Sequence, residues 1–323
     1  MDLAPISLDS IQHAGSGLER PECVIATRRG DLYVSDKRGG VTRIAPGGGT
    51  QLFVPKPALP VTLHPNGIAL ERAGSFLIAH LADDVGGVWR LHRDGRAEKV
   101  LDAIDGKTLP AVNFVLVDKQ DRIWVTISTR RQPRGVSYRK DVADGFVILI
   151  DRKGARIVAD DIGFTNEVRL DAAERELTVV ETFSRRLLRF DIKPDGSLAG
   201  RRVLCEFGAG TFPDGIALDE AGAVWVTSVV SNRVLRVTRD GEVQQLLEDA
   251  DADHLAWVEQ AYQAGTMGRP HLDKITSRVL KSIASIAFGG PDLRTAYMGC
   301  LLGDRLPFFH APVAGLPMAH WEW

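Results

Sequence analysis

The sequence predicts an all-β fold: a six-bladed β-propeller closed by an N-terminal strand, with a helical insertion before the last blade. Three observations predict it. One segment pattern recurs six times along the 323 residues. Within each copy, apolar and polar residues alternate with the period of two that belongs to strands, and Gly, Asp or Asn turns separate the runs. The sixth copy lacks a fourth strand, while a spare alternating run stands near the N-terminus.

The copies run in order: ECVIATRRGDLYVSD from Glu22, NGIALERAGSFLIAHL from Asn66, NFVLVDKQDRIWVTIS from Asn113, NEVRLDAAERELTVVE from Asn166, DGIALDEAGAVWVTSV from Asp214 and ASIAFGGPDLRTAYMG from Ala284. Their starts lie 44, 47, 53, 48 and 70 residues apart. In each, an apolar run leads through a turn to an alternating run, then to a third such as GVWRLHRDG or RVLRVTRDG, closed by Asp-Gly. Four-stranded units at this spacing are propeller blades. The last copy supplies ASIAF, RTAYMGC and DRLPFFH before the Pro-containing tail APVAGLPMAHWEW. The run ISLDSIQHA is expected to fill the vacant place and remove an open sheet edge. Residues 1–323 are therefore expected to form a single domain.

Bulk properties bound the function. The hydrophobic share of 44% and charged share of 25% suit a globular protein with a sizeable core. A formal net charge of −2 provides no basic field for nucleic acid. Cys23, Cys205 and Cys300 are three and widely spaced, so neither a disulfide framework nor a zinc pattern follows. No signal-peptide pattern and no membrane-length apolar run is visible. A cytoplasmic protein acting on a small molecule, with no nucleic-acid or membrane partner, is the expectation. The sequence leaves the oligomeric state open.

The first strand of a propeller blade lines the central channel, so its opening residue points toward the axis at one face. Down the six copies that position reads Glu22, Asn66, Asn113, Asn166, Asp214 and Ala284. Five of the six carry a side-chain oxygen acceptor. Asn and Asp also open strands and turns by bonding their own backbone, but five in register converge on one point. Two carboxylates with several amide oxygens make a site for a hard divalent cation, Ca²⁺ foremost, with Mg²⁺ or Mn²⁺ as others. The ring contains no His or Cys, which counts against zinc, though Zn²⁺ stays among the ions to test. Asn66 is expected to line the channel without touching the ion.

These residues resemble the regucalcin/gluconolactonase-like (senescence marker protein) six-bladed propeller hydrolases. The phrases PDGIALDEAGAVWV (213–226) and SIAFGGPDLRTAYMG (285–299) are especially similar to that family, and the resemblance covers nearly the whole chain. Related sites occur in diisopropyl fluorophosphatase and the paraoxonases. The resemblance implies a divalent-metal hydrolase, usually of lactones. It implies that Glu22, Asn166 and Asp214 bind the ion, that Asn113 binds it or orients the substrate, and that Asp214 also acts as base or nucleophile. Asp214 and Asn113 are thus the catalytic candidates. Some neighbours depart from the family pattern: Cys23-Val24 follows Glu22, Phe114 follows Asn113, and Glu167 follows Asn166. Ala111 stands where the resemblance would place a sugar-binding arginine.

Two insertions fall at the face where first strands begin, and both are expected to overhang the ion. Residues 129–144 interrupt blade three and carry Arg130, Arg131, Arg134, Arg139 and Lys140, which suit an anionic substrate or a solvated loop. Residues 248–282 precede blade six, and Leu255, Val258 and Tyr262 within them have helical spacing. Asn66, Arg134, Tyr138 and Trp257 are the substrate-binding candidates. His64, His80, His254 and His271 suit structural roles, and Cys23 is expected to be an inert buried thiol pointing away from the axis. The functional expectation is a metal-dependent lactonase opening a cyclic ester by metal-activated water. An organophosphate or other ester hydrolase on the same site, and a non-catalytic propeller with a structural ion, are the alternatives.

Overall fold

The computed structural model describes residues 2–322. Six four-stranded antiparallel sheets are arranged as blades. Their first strands are Val24–Ala26, Pro65–Leu70, Val112–Val117, Thr165–Leu170, Phe212–Leu218 and Ile283–Gly289. These strands contact one another in sequence around the axis, and that of blade one meets both blade two and blade six, so the ring is closed. Blades pack face to face and bury both sides of their inner strands. Phe76 and Leu77, adjacent and on opposite faces, are both fully buried.

The predicted closure is present. Gln12–Ala14 pairs antiparallel with Leu306–His310, with Gln12 opposite Phe308 and Ala14 opposite Leu306. The strand is shorter than the run ISLDSIQHA, because Leu8–Ser10 forms a 3-10 turn capped by Ser7. The rest of that run staples neighbouring blades. Ile6 donates its N–H to the carbonyl of Leu246 at 2.7 Å, and Leu3, Ile6, Leu8 and Ile11 pack on the core between blades five and six.

A repeated polar unit explains why Asp and Trp recur at the same offset in blades three and five. Asp118 and Asp219 each accept two backbone N–H groups of the following turn with one oxygen. The other oxygen accepts the indole N–H of Trp124 at 3.0 Å or Trp225 at 3.1 Å. Arg122 and Arg236 complete the two units at 2.6 and 2.8 Å. Every group in this buried cluster is partnered, which offsets the cost of taking a carboxylate out of water.

The C-terminal tail closes one end of the channel. Leu316 donates to Leu218 and Gly315 to Leu293, each at 2.8 Å, and the His320 ring lies 3.0 Å from the carbonyl of Ala26. Ala26 and Leu218 end their strands, so the tail covers the face opposite the strand openings. A cavity of about 40 Å³ remains between tail and first strands, lined by Cys23, Phe114, Arg169, Met318 and Trp321 among others. Cys23 is buried, and burial pushes its thiol far above the usual range. Its thiol faces the first strand of blade two, 3.8 Å from the carbonyl of Ile68, and the residue lines this cavity.

The second insertion carries the predicted helix, Ala252–Gln263, capped by Asp251, whose carboxylate accepts the N–H of His254 at 2.7 Å. Among the described residues, no helix is long and apolar enough to cross a membrane.

Candidate active site

The site begins with a backbone irregularity. In blades two to six, the pairing between first and second strands slips at the ring position: between Pro65 and Ile68, Val112 and Phe114, Thr165 and Val168, Pro213 and Ile216, and Ile283 and Ser285. A bulge at each place re-aims one side chain out of the ladder. It also frees backbone N–H groups, and hydroxyls on the otherwise apolar second strands receive several of them. Gly215 donates to Thr227 at 3.1 Å, Phe212 to Ser228 at 2.8 Å, and in blade one Cys23 donates to Ser35 at 3.0 Å. That is why Thr and Ser stand in runs such as VWVTSV.

The five oxygen-bearing positions come together and are all buried, none more than 8% exposed. Asn113 donates its amide to Ser128 and Asn166 donates its amide to Thr182, each at 3.0 Å. Tying both NH₂ groups to residues just past the second strands turns the amide oxygens away from them. Asn66 is engaged differently. Its amide donates to the carbonyl of Asn113 at 2.9 Å, and its oxygen accepts Arg20 at 3.0 Å. Arg20 also lies 2.6 Å from Glu22, whose Oε2 has no hydrogen bond of ordinary geometry. Asp214 touches Asn166, and its carboxyl is raised well above the usual range by burial first, then by the charges of Glu22 and Glu167.

A second layer lies just inside the ring. The residues following the ring positions are Cys23, Gly67, Phe114, Glu167, Gly215 and Ser285. Gly215 is required by a close approach: a Cβ there would sit 2.3 Å from the carbonyl oxygen of Ala284. Where blades two and five have glycine, blade four has Glu167. Its carboxylate accepts the N–H of Ile216 at 3.2 Å and pairs with the equally buried Arg169 at 2.7 Å. Burial outweighs that partner and pushes the Glu167 carboxyl up to about 7. Arg20 and the Glu167–Arg169 pair escaped the sequence reading. The glutamate in a register shared with Gly67 and Gly215 was the available signal for the pair. Nothing in the repeat marks Arg20, which precedes the blade.

The remaining candidates divide. Tyr138 is 2% exposed, stacked on Phe183 with centroids 4.8 Å apart and edge-on to Phe164. Tyr262 packs edge-on against Phe212 and donates its hydroxyl to the carbonyl of Phe183 at 2.6 Å. The two insertions therefore meet in one aromatic cluster beside the openings of blades four and five. Trp257 is 42% exposed and stacks on His271 at 4.1 Å. His80 accepts the N–H of His64, and His254 is buried at the helix start. In the loop 129–144, Arg130 pairs with Asp160, Arg131 with Asp144, and Arg139 with Asp141, while Lys140 reaches Gln263. Arg134, half-buried, has no acidic partner among the described residues.

Among the described residues there is no cluster of three His, Cys, Asp or Glu side chains placed to hold a metal. The ring instead combines two carboxylates with amides. Its chemistry fits a hard divalent cation on two observations: two amides tethered through nitrogen, and two buried carboxylates, of which Glu22 already holds a cation, the Arg20 guanidinium 2.6 Å away.

Residues 20–253 match the family described as SMP-30/gluconolactonase/LRE-like region. A 6-deoxy-6-sulfogluconolactonase of Pseudomonas putida is 28% identical over 233 residues, 71% of this chain. The match spans 66% of that relative's length, just under two thirds. Two solved structures share the fold. A gluconolactonase from Xanthomonas campestris has a TM-score of 0.66 at 18% identity, covering 92% of this chain and 88% of the other. A calcium-binding regucalcin from Agrobacterium tumefaciens has a TM-score of 0.66 at 15% identity, covering 95% and 98%.

Proposed function

The chain belongs to the SMP-30/gluconolactonase/LRE-like family, and on that premise we propose that it is a divalent-metal-dependent lactonase, with Ca²⁺ the foremost ion. The observation that carries the metal reading is the ring itself: oxygen donors from five blades, two of them carboxylates, buried around one axis. Glu22, Asn113, Asn166 and Asp214 are the proposed ligands. A regucalcin of this fold is named calcium-binding, which supports the choice of ion. Bound there, the ion would polarise the lactone carbonyl and acidify a water.

The chain's own residues supply the proton path and the substrate's seat. Asp214, buried beside Asn166, is the carboxylate we assign to take up the proton that attacking water releases. It returns that proton to the lactone ring oxygen as the acyl C–O bond breaks, and the new carboxylic acid gives its own proton to solvent, leaving a carboxylate and an alcohol on one chain. Asn113, anchored by Ser128, orients the carbonyl. We place the two insertions over this opening, with Trp257 as an apolar wall and Tyr138 as packing beneath it.

An anionic lactone is the substrate class we favour. Arg134 is the one guanidinium of its loop without an acidic partner among the described residues, and a Pseudomonas putida relative is named for a sulfonated gluconolactone. The test is a hydrolysis panel of neutral and anionic sugar lactones with aliphatic and aromatic ones. It uses chelator-stripped protein, with Ca²⁺, Mg²⁺, Mn²⁺ or Zn²⁺ added back and Asp214→Ala as control. We expect metal-restored turnover that falls about a thousandfold or more in Asp214→Ala, and a raised KM for anionic lactones in Arg134→Ala. Metal binding that raises the melting temperature without any turnover would assign the ion a structural role instead.

A further inference from the structure

We propose that Arg20 is the resident counter-cation of the metal-free ring and competes with the divalent ion for Glu22. The inference rests on the reading of the ring as a cation site. Arg20 Nη1 lies 2.6 Å from Glu22 Oε2 and 3.0 Å from Asn66 Oδ1. That Glu22 oxygen has no other partner of hydrogen-bond geometry among the described residues. The guanidinium therefore sits on one of the two carboxylates that an ion would use.

The backbone places Arg20 there deliberately. Its φ is +48°, in the left-handed region that a non-glycine residue adopts at a cost. The N–H of Glu22 donates to the carbonyl of Arg20 at 2.8 Å, closing a tight turn that folds the arginine back over the glutamate. Three carboxyl groups, on Glu22, Glu167 and Asp214, crowd this end of the channel, and Arg169 is committed to Glu167. Without a cation between them, Glu22 and Asp214 would repel one another in a buried place. Arg20 offsets the charge of Glu22. A guanidinium and a divalent ion repel one another strongly at contact with the same carboxylate, so entry of the ion displaces the arginine. The side chain is 20% exposed, which gives it a route to solvent.

Arg20 therefore weakens metal affinity and stabilises the metal-free protein. The test is calorimetric titration of chelator-stripped full-length protein with Ca²⁺ and with Mn²⁺, alongside thermal melts, for wild type, Arg20→Gln and Arg20→Gly. Glycine accepts the positive φ without strain, so that variant keeps the test informative if glutamine perturbs the turn. We expect both variants to bind at least about tenfold more tightly. We also expect Arg20→Gln to melt lower than wild type with chelator and to gain more from Ca²⁺. Wild-type binding as tight as, or tighter than, that of both variants would overturn the competition while leaving the ring a metal site. Absence of binding in all three proteins would overturn both readings. Binding in the variants with a silent wild type would support both.

Discussion

Ser128 and Thr182 each stand one residue beyond the second strand of their blade, and each holds the amide of a ring asparagine at 3.0 Å. Partners of this kind fix the orientation of a ligand, and their loss commonly weakens metal binding. Ser128→Ala is expected to lower Ca²⁺ affinity about 10- to 100-fold, measured by titration calorimetry. Removing the hydroxyl also leaves a buried amide donor unpaired, at a cost of about 1–3 kcal/mol in stability. Unchanged affinity would mean that the Asn113 oxygen is not a ligand. Glu167 shows the reverse case. Its position after Asn166 was visible, but its buried pairing with Arg169 and its bond to the N–H of Ile216 in the next blade were not.

The C-terminal tail is the element whose role was least legible. As a string it is a Pro-interrupted tail, and in the fold it stops one end of the channel. His320 ties it to the first strand of blade one through the carbonyl of Ala26. Burial holds the His320 imidazole down at about 4, against an ordinary value of 6.5. The folded state thus binds the proton less readily than the unfolded chain. The stability this group contributes is complete above pH 6.5 and is lost as the pH falls toward 4, with a slope that favours folding as pH rises. The full shift corresponds to about 3 kcal/mol. His320→Gln, which retains an N–H for Ala26, should flatten the fall in melting temperature between pH 6.5 and pH 4. An equally steep profile in the variant would show that other groups carry the acid sensitivity.

At the scale of the whole molecule, the ring depends on a three-residue strand. Gln12–Ala14 covers the edge of Leu306–His310, and the residues before it bury Leu3, Ile6, Leu8 and Ile11. Deleting residues 2–14 exposes that edge and removes the link between first and last sequence segments. The truncated protein is expected to melt several degrees lower, consistent with a loss on the order of 2 kcal/mol. It should also self-associate through the open strand, as read by light scattering after gel filtration. A monodisperse protein with an unchanged melting temperature would place closure elsewhere. The aromatic cluster around Phe183 belongs to this scale too, because it joins two insertions separated by more than a hundred residues of sequence.

The six-fold repeat, the spare N-terminal run and the helical spacing of Leu255, Val258 and Tyr262 were sufficient to determine the propeller, its closure and its helix. Periodicity and turn chemistry are local, and a repeat reports them six times over. The convergence of the five oxygen-bearing residues followed from the same repeat, since equal positions in equal blades face one axis. What the fold alone decided was how each side chain is used. Bulges aim the ring residues, Arg20 arrives from outside the blade pattern, Asn66 is committed to Arg20 and Asn113, and Tyr138 is sealed in an aromatic cluster. Each of these depends on which groups from distant strands come within bonding distance, and on how far burial shifts the balance between charge and desolvation. No periodicity in a single chain encodes those distances.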